Sequence, residues 1–483
     1  TQILLFLLNL ALILQTLNSL CCFGNMFYLI FALLPNLISS QQTTTIHTKC
    51  GDIIGERSNN IDSFVGIPYA IPPLKQHRWQ PTLPALCTST TFDASKSPGP
   101  ACYQKPNKLL PLTMSEDCLH INVYKPSSFS SKSDVLLPVA VYLHGGSLVE
   151  GSAMAIQAGF GGPITLANRT NSSVISVSLN YRLGVLGFLA LKGLTGNYGL
   201  LDVIEALKWI ATHIESFGGD PNKVTVYGQS SGGSLVFALM TSPLATDLFQ
   251  RAISMSGSPR LNSTITEASE YWHPQIFEKA CQFNKTVACL SILSPETLVA
   301  AQPNNWDPSE GWSSHVFWDS YQYAPLLVID GHVLPFDYRH KKKNSNLLQR
   351  MTPLDKQVPL IIGVTREEID FAPGNDVRNL SFSNVASLFK NAITNSTHSK
   401  SFVKEILNSY QLSTDKKMTP VQGLNATSEL VFSDFISDAT MLCGTYVLAN
   451  AWSLINPNIY MYTVSERPGN PFCVLSAFSH IKK

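Results

Sequence analysis

The sequence predicts an α/β fold in which helices flank a central, mostly parallel sheet. Several segments are dense in Val, Ile, Leu and Tyr, as expected of strands buried on both faces of such a sheet; they are 135–143, 174–180, 224–227, 359–364 and 459–464. A helix is predicted over 201–217, because Leu residues and Ile residues recur on one face and Gly218-Gly219 can end it. From Thr43 onward no linker or repeat interrupts the alternation, which predicts one domain.

Composition and charge are those of an ordinary globular protein. The 483 residues are 45% hydrophobic and 14% charged, with a net charge of +1. No basic run is longer than Lys341-Lys342-Lys343, so the sequence predicts no nucleic-acid partner. The length allows two or three domains, but large α/β enzymes often form one domain of this size.

The first 48 residues contain no Asp, Glu, Lys or Arg and include two apolar runs, 3–14 and 26–38. Both are shorter than the about 20 apolar residues of a membrane-spanning helix. The second run begins at Met26 and ends in Ser39-Ser40, which is typical of a signal peptide, although the usual positive n-region is missing. We interpret 1–40 as an apolar leader, with an upstream segment and a signal peptide starting at Met26, and 41–483 as the domain. The alternative is an uncleaved membrane anchor.

Cysteines and glycosylation motifs also predict secretion. Eight cysteines follow the leader and none forms a C-x-x-C pair, which favours disulfides over metal or redox chemistry. Seven N-x-[ST] motifs predict a glycoprotein; they begin at Asn168, Asn171, Asn262, Asn284, Asn379, Asn395 and Asn425.

The segment 217–232 contains the motif Gly228-Gln229-Ser230-Ser231-Gly232 between a predicted strand and a segment, 231–240, that is compatible with a helix. Glycine two residues before and two after the serine allows the tight, strained turn that exposes a nucleophilic hydroxyl. The motif alone often occurs by chance, and the alternative is a Gly/Ser loop. The flanking strand and helix favour the nucleophile.

Polar residues follow the ends of three other predicted strands. His144-Gly145-Gly146-Ser147 follows the first strand, Glu367 and Glu368 follow 359–364, and His480 follows 459–464. In doubly wound α/β sheets, active sites lie at the C-terminal ends of the strands. The order serine, acid, histidine is that of α/β-hydrolases.

These residues and further motifs resemble the type-B carboxylesterases, the family that includes carboxylesterases, cholinesterases and bile-salt-activated lipases. Residues 217–232 are similar to the family's serine signature, and 115–124 are similar to its second signature, with His120 where an aromatic residue or threonine is usual. Further similar blocks are 65–70, 180–184, 196–200 and 329–335. The resemblance spans roughly residues 43 to 480 and implies the α/β-hydrolase fold.

The resemblance implies a hydrolase of small-molecule carboxylic esters with a catalytic triad of Ser230, Glu368 and His480, and it implies no metal or organic cofactor. By position in the motif the acid is Glu368, and Glu367 is interpreted as a surface charge. The only other histidine downstream of Glu368 is His398, in a polar stretch interpreted as a solvated loop.

The resemblance also implies an oxyanion hole formed by the backbone N–H groups of Gly146, Ser147 and Ser231. Ser147 replaces the family's usual third glycine, and a positive φ there would be strained for serine. His144 is expected to shape this loop rather than to transfer protons.

Other residues are expected to have structural roles. The resemblance implies ion pairs, a hydroxyl near the acid and two small disulfide loops: Arg78–Glu116, Arg182–Asp202, Ser256, Cys102–Cys118 and Cys281–Cys289. For the remaining cysteines, elimination suggests Cys50–Cys87 and Cys443–Cys473.

Two alternative functions stay open: a catalytically inactive, cholinesterase-like adhesion or binding protein, and a lipase with a long-chain preference. A cholinesterase is disfavoured because residues 103–115 contain no tryptophan to face a choline cation. Family members continue well beyond their catalytic histidine, so we expect this chain, which ends at Lys483, to be truncated at its C-terminus. The oligomeric state is not predicted.

Overall fold

The computed structural model describes residues 42–106, 112–129, 135–154, 174–258, 263–282, 284–303, 306, 326–335, 358–366, 368, 381, 383–387, 390, 404–405, 408, 428–454 and 456–464. The chain divides into two compact units, Thr1–Gln42 and Thr43–Lys483. The predicted leader, residues 1–40, lies outside the described residues. Among the helices of the described part, none combines the length and the apolar character needed to cross a membrane.

An eleven-stranded sheet organises the described residues. The strands of the protein, including two small two-stranded pairs, are β1 Gln42–Thr48, β2 Gly51–Ser58, β3 Ile61–Pro68, β4 Phe92–Asp93, β5 Ala101–Cys102, β6 Met114–Ser115, β7 His120–Pro126, β8 Leu137–Leu143, β9 Ile175–Leu179, β10 Ala190–Leu191, β11 Leu194–Thr195, β12 Gly219–Gln229, β13 Arg251–Met255, β14 Leu360–Thr365 and β15 Ile459–Val464. The large sheet has the order β1-β2-β3-β7-β9-β8-β12-β13-β14-β15, and β4 pairs with β2.

The pairing changes along the sheet. From β2 through β3 and β7 to β9 each pair is antiparallel. From β9 through β8, β12, β13 and β14 to β15 each pair is parallel. All five predicted strands belong to this parallel part, and 224–227 is the end of the longer β12. The prediction of a mostly parallel sheet flanked by helices is therefore confirmed, with an antiparallel part that the apolar runs did not indicate.

The helices, including short ones, are α1 Gly184–Phe188, α2 Tyr198–His213, α3 Ser231–Thr241, α4 Ile265–Glu267, α5 Ile276–Ala280, α6 Val287–Ser291, α7 Pro295–Ala301, α8 Ser428–Ser437 and α9 Cys443–Ser453. α2 begins three residues before the predicted 201–217 and continues as a 3-10 turn, Ile214–Phe217. Gly218, with a φ of 88°, ends that turn in the left-handed region that glycine adopts at little cost.

Apolar side chains of the parallel strands pack against the helices on the sheet. Val141 and Leu143 of β8 and Val226 of β12 are fully buried, as are Leu207 of α2 and Leu235 of α3. Burying each such side chain contributes roughly 1.5–3 kcal/mol, which makes this region the rigid support of the strand ends.

The ion pairs and three of the disulfides form as expected. Arg78 pairs with Glu116 at 2.6 Å and Arg182 with Asp202 at 2.8 Å. The disulfides are Cys50–Cys87, Cys102–Cys118 and Cys281–Cys289. Cys443 has no disulfide partner among the described residues, and Cys473, the partner suggested for it, lies outside them. Of the seven glycosylation motifs, only Asn284 is described, and it is exposed.

Candidate active site

Ser230 lies at the C-terminal end of β12, directly before α3. Its backbone has a φ of 56° and a ψ of −126°, a conformation that costs a non-glycine residue about 1–3 kcal/mol. Its N–H donates to the Met255 carbonyl at 2.9 Å, and its own carbonyl accepts from Ser234 N–H at 3.1 Å. Sheet and helix hydrogen bonds on both sides thus hold the strained residue in place.

The two glycines of the serine turn, residues 228–232, allow a close approach of backbone to backbone. A Cβ at Gly228 would lie 2.4 Å from backbone atoms of Gly232, and a Cβ at Gly232 would lie 2.2 Å from the Leu143 carbonyl oxygen. These distances are far shorter than van der Waals contact. The atoms that a Cβ would contact belong to the backbone, so they cannot move aside as a side chain could. Both positions therefore require glycine, as the motif predicts.

Residues 144–151, which follow β8, form the glycine loop beside the serine turn. A Cβ at Gly145 would lie 3.1 Å from the Ser230 Cβ, and Leu148 N–H donates to the Ser231 hydroxyl at 3.1 Å. The φ of Gly146 is 110° and that of Ser147 is 56°, so the serine adopts the strained conformation considered from the sequence. The loop and the turn are therefore in direct contact.

Three backbone donors at this contact have no acceptor in the part of the chain that the structure describes. Within the described residues, no oxygen accepts a hydrogen bond from the backbone N–H of Gly146, Ser147 or Ser231. Since an unbonded N–H group near a buried site costs free energy, such donors are expected where a ligand oxygen or water binds.

His144 begins the glycine loop and is buried, with 3% of its surface exposed. Its ring stacks on Tyr181 at a centroid distance of 4.3 Å, and the Tyr181 hydroxyl donates to the His144 carbonyl at 2.7 Å. Burial lowers the pKa of His144 to about 4, which keeps the ring neutral at pH 7. A neutral, stacked ring fits the structural role expected of this residue.

Glu368, the predicted acid, lies just after β14. Its Oε1 accepts hydrogen bonds from the Ser256 hydroxyl at 2.6 Å and from Thr365 N–H at 2.5 Å. Among the described residues, none donates to its other oxygen, Oε2. The pKa of Tyr462, on the neighbouring strand β15, is raised by burial and by the negative charge of Glu368.

The end of β13 links the nucleophile to the acid. Met255 accepts the hydrogen bond of Ser230 N–H, and the next residue, Ser256, donates its hydroxyl to Glu368 and its N–H to the Gly363 carbonyl at 2.7 Å. The structure thus brings the serine turn, the glycine loop and Glu368 to neighbouring strand ends. His480, the predicted base, and Glu367 lie outside the described residues.

Two contacts of the glycine loop were missed by reasoning from the sequence. The Gln104 side chain bonds to Gly151 of the glycine loop, and the Tyr181 hydroxyl bonds to His144. Neither residue belongs to a periodic pattern or to a catalytic motif, so no local signal indicated these contacts. Among the described residues, no group of three or more His, Cys, Asp or Glu side chains could hold a metal ion.

Known proteins are similar to this chain in sequence and in fold. The model of the Carboxylesterase family matches residues 42–476. Carboxylesterase 1E of Mus musculus is 43% identical over 326 residues, which is 63% of this chain and 54% of that protein. Carboxylesterase 3 of Pongo abelii is 32% identical over 72% of this chain and 59% of its own length. Acetylcholinesterase of Bungarus fasciatus is 29% identical over 88% of this chain and 70% of its own length.

Solved structures of esterases are similar to this chain in fold. EstA of Aspergillus niger aligns with a TM-score of 0.66 at 25% identity, over 87% of this chain and 77% of that chain. PNB esterase aligns with a TM-score of 0.65 at 27% identity, over 91% of this chain and 86% of that chain. This chain spans only 54% to 59% of the length of the two carboxylesterase relatives. Because the family match extends from residue 42 to residue 476, the chain belongs to the carboxylesterase family.

Proposed function

We propose that this chain is a serine hydrolase that cleaves carboxylic esters through an acyl-enzyme formed on Ser230. The observation that carries the proposal is the strained conformation of Ser230 beside a loop whose Gly146 and Ser147 N–H groups have no acceptor among the described residues. A nucleophile needs an exposed hydroxyl, and a developing oxyanion needs donors that are already oriented. Because this chain spans only 54% to 59% of the length of the two carboxylesterase relatives, the activity of the whole protein is part of the proposal.

In the proposed reaction His480 accepts the Ser230 proton while the hydroxyl oxygen attacks the ester carbonyl. Glu368 orients the imidazole and stabilises its protonated form. Oε2 of Glu368, which receives no hydrogen bond from the described residues, supports this role, because Ser256 and Thr365 already hold the other oxygen in position. His480 then gives its proton to the leaving alcohol, and water repeats the sequence on the acyl-enzyme.

The tetrahedral intermediates carry a negative oxygen that the N–H groups of Gly146, Ser147 and Ser231 would stabilise. Removal of one such donor typically costs about 3–4 kcal/mol in the transition state. Support comes from the contact between the glycine loop and the serine turn, and from the absence of internal acceptors for these three groups in the described residues.

The location proposed for the protein is the secretory pathway, with glycosylation of the exposed Asn284. Three disulfides support an oxidising compartment. An endoglycosidase should increase the gel mobility of the secreted protein, and Asn284→Gln should reduce that change. An unchanged mobility after endoglycosidase treatment would contradict glycosylation.

Hydrolysis of p-nitrophenyl acetate and butyrate by the purified protein tests the enzymatic proposal. Ser230→Ala should abolish turnover and labelling by a fluorophosphonate, whereas Ser269→Ala, at a half-buried serine whose hydroxyl donates to the Thr266 carbonyl, should retain both. Equal rates for the wild type and Ser230→Ala in a folded protein would contradict the proposal and favour the inactive binding protein. A higher kcat/KM for p-nitrophenyl palmitate than for butyrate would indicate a lipase.

A further inference from the structure

A buried amide side chain connects the glycine loop to a distant segment. Gln104, with 5% of its surface exposed, accepts a hydrogen bond from Gly151 N–H at 2.9 Å through Oε1. Its Nε2 donates to the Gly151 carbonyl at 2.9 Å and to the Cys102 carbonyl at 3.0 Å. The side-chain amide therefore pairs with both backbone groups of one residue, as a neighbouring strand would.

Gly151 packs directly against the beginning of the glycine loop. A Cβ at Gly151 would lie 2.4 Å from the Gly145 carbonyl oxygen and 2.5 Å from Nδ1 of His144. Inside the loop, Val149 N–H and Glu150 N–H both donate to the Gly146 carbonyl, at 3.0 and 2.9 Å. A shift of Gly151 would therefore displace Gly145 and Gly146, and with them the adjacent N–H of Ser147.

The other end of this connection is covalently fixed. Gln104 lies two residues after Cys102, which forms a disulfide with Cys118, two residues before the start of β7. A second side-chain amide connects the same two segments of the chain. Asn180 accepts a hydrogen bond from Ala153 N–H at 2.8 Å and donates one to the Pro100 carbonyl at 3.1 Å. The disulfide loop and β7 thus form the support from which Gln104 holds Gly151.

We infer that Gln104 is a positioning residue for the oxyanion hole: it fixes Gly151 and thereby orients the N–H groups of Gly146 and Ser147. The inference rests on the ester hydrolysis proposed above and goes beyond it, because it assigns the alignment of the hole to a residue outside the loop. Misplacement of reacting groups by about 1 Å can cost roughly 100-fold in rate. Loss of the paired hydrogen bonds should therefore act on the transition state more than on substrate binding.

Gln104→Met tests this inference, because methionine fills a similar volume but makes none of the three hydrogen bonds of the Gln104 side chain. We expect kcat/KM for p-nitrophenyl butyrate to fall roughly 10- to 100-fold, less than the roughly 100- to 1000-fold loss of a whole donor. The loss should lie in kcat, with KM nearly unchanged. Rates are normalised to sites titrated by a fluorophosphonate, so that an unfolded fraction does not count as lost activity.

The matched control is Tyr103→Phe, one residue earlier on the same disulfide loop. The Tyr103 hydroxyl donates a hydrogen bond to the Glu296 carboxylate at 2.5 Å, and Glu296 lies outside the glycine loop. This variant should retain the wild-type kcat/KM. Equal losses in Tyr103→Phe and Gln104→Met would overturn the inference, since they would indicate general damage to the disulfide loop.

A trifluoromethyl ketone gives the readout that distinguishes positioning from simple packing. It forms a hemiketal oxyanion on the serine, so its Ki should rise in Gln104→Met by the same factor by which kcat/KM falls. Gln104→Glu, which keeps an acceptor for Gly151 N–H but loses the amide donor, should lie between the wild type and Gln104→Met. A lower kcat/KM with an unchanged Ki would overturn the inference, and so would full activity of Gln104→Met. An inactive wild type would instead contradict ester hydrolysis itself.

Discussion

The serine turn and the glycine loop follow neighbouring parallel strands, β12 and β8, yet different interactions hold them. In the serine turn, strand and helix hydrogen bonds fix Ser230, and backbone atoms pack directly on Gly228 and Gly232. The glycine loop has no regular secondary structure, and side chains from other segments hold it: Gln104, Tyr181 and Ser231.

This difference implies different responses to substitution. A backbone contact cannot relax without moving a strand or a helix, so changes in the serine turn should affect folding and activity together. A side chain that supports a loop can be replaced while the sheet stays intact, so changes around the glycine loop should affect activity in smaller steps. Four substitutions test this contrast.

The largest loss of stability is expected at the buried Arg182–Asp202 ion pair, which lies next to Tyr181 but outside both regions. Asp202→Ala removes the partner of Arg182, which directly follows Tyr181, and leaves a buried guanidinium unpaired. The free energy of unfolding should fall by about 3–5 kcal/mol, as measured by urea denaturation. Asp93→Ala, which breaks an exposed pair with Lys96, is the control and should have no measurable effect. A loss as small as that of the control would show that this buried ion pair does not stabilise the fold.

Gly232→Ala tests the backbone contact of the serine turn. Because the new Cβ would lie 2.2 Å from the Leu143 carbonyl oxygen, we expect a loss of about 3 kcal/mol in unfolding free energy and of more than about 100-fold in kcat/KM. Gly193→Ala is the control, since its φ is +90° but no atom lies within 4 Å of the new Cβ. It should cost about 1–2 kcal/mol and leave kcat/KM unchanged. Full activity of Gly232→Ala would remove the contrast between the two regions.

The pH dependence of stability tests the burial of His144. Its pKa falls from 6.5 to about 4 in the folded protein, so between these values the unfolded chain binds more protons and stability rises with pH. The contribution of His144 is complete above pH 6.5 and falls by about 3 kcal/mol as the pH drops to 4.

His144→Phe retains a ring that can stack on Tyr181 but does not titrate. Urea denaturation at pH 7 and pH 4.5 should therefore show a smaller pH dependence in the variant. His120, whose pKa is lowered by burial, is present in both proteins and contributes equally. Identical pH dependence in the wild type and the variant would contradict the buried, neutral state of His144.

The smallest effect is expected for Tyr181→Phe, which removes the hydrogen bond from the Tyr181 hydroxyl to the His144 carbonyl. One neutral hydrogen bond contributes about 1 kcal/mol, so the free energy of unfolding should fall by about that amount and kcat by a few-fold. Comparison with Gln104→Met under the same conditions would show which support holds the loop more firmly. A larger kcat loss in Tyr181→Phe would make Tyr181 the main support.

Predictions from local pattern agree best with the structure where neighbouring residues decide the conformation. The strand 459–464 was predicted with the bounds that β15 has, and the helix 201–217 was correct in type with its start three residues late. The strands β1, β2, β3 and β7, which precede β8 in the chain, were not predicted. β1 shows one reason, since most of its residues are exposed or half-buried and only one is buried, which leaves no apolar run to find.

The sequence by itself determined the serine turn, because its two glycines, the strand before it and the helix after it are all local features. The type of the buried parallel strands was determined in the same way. Only the tertiary structure decided which distant groups meet there. Gln104 reaches Gly151 across 47 residues, a contact that nothing in the sequence indicated. Ser256 reaches Glu368 across 112 residues, and only the family resemblance indicated that contact. Such contacts depend on the order of the strands in the sheet, which sets the neighbours of each side chain and which no local periodicity records.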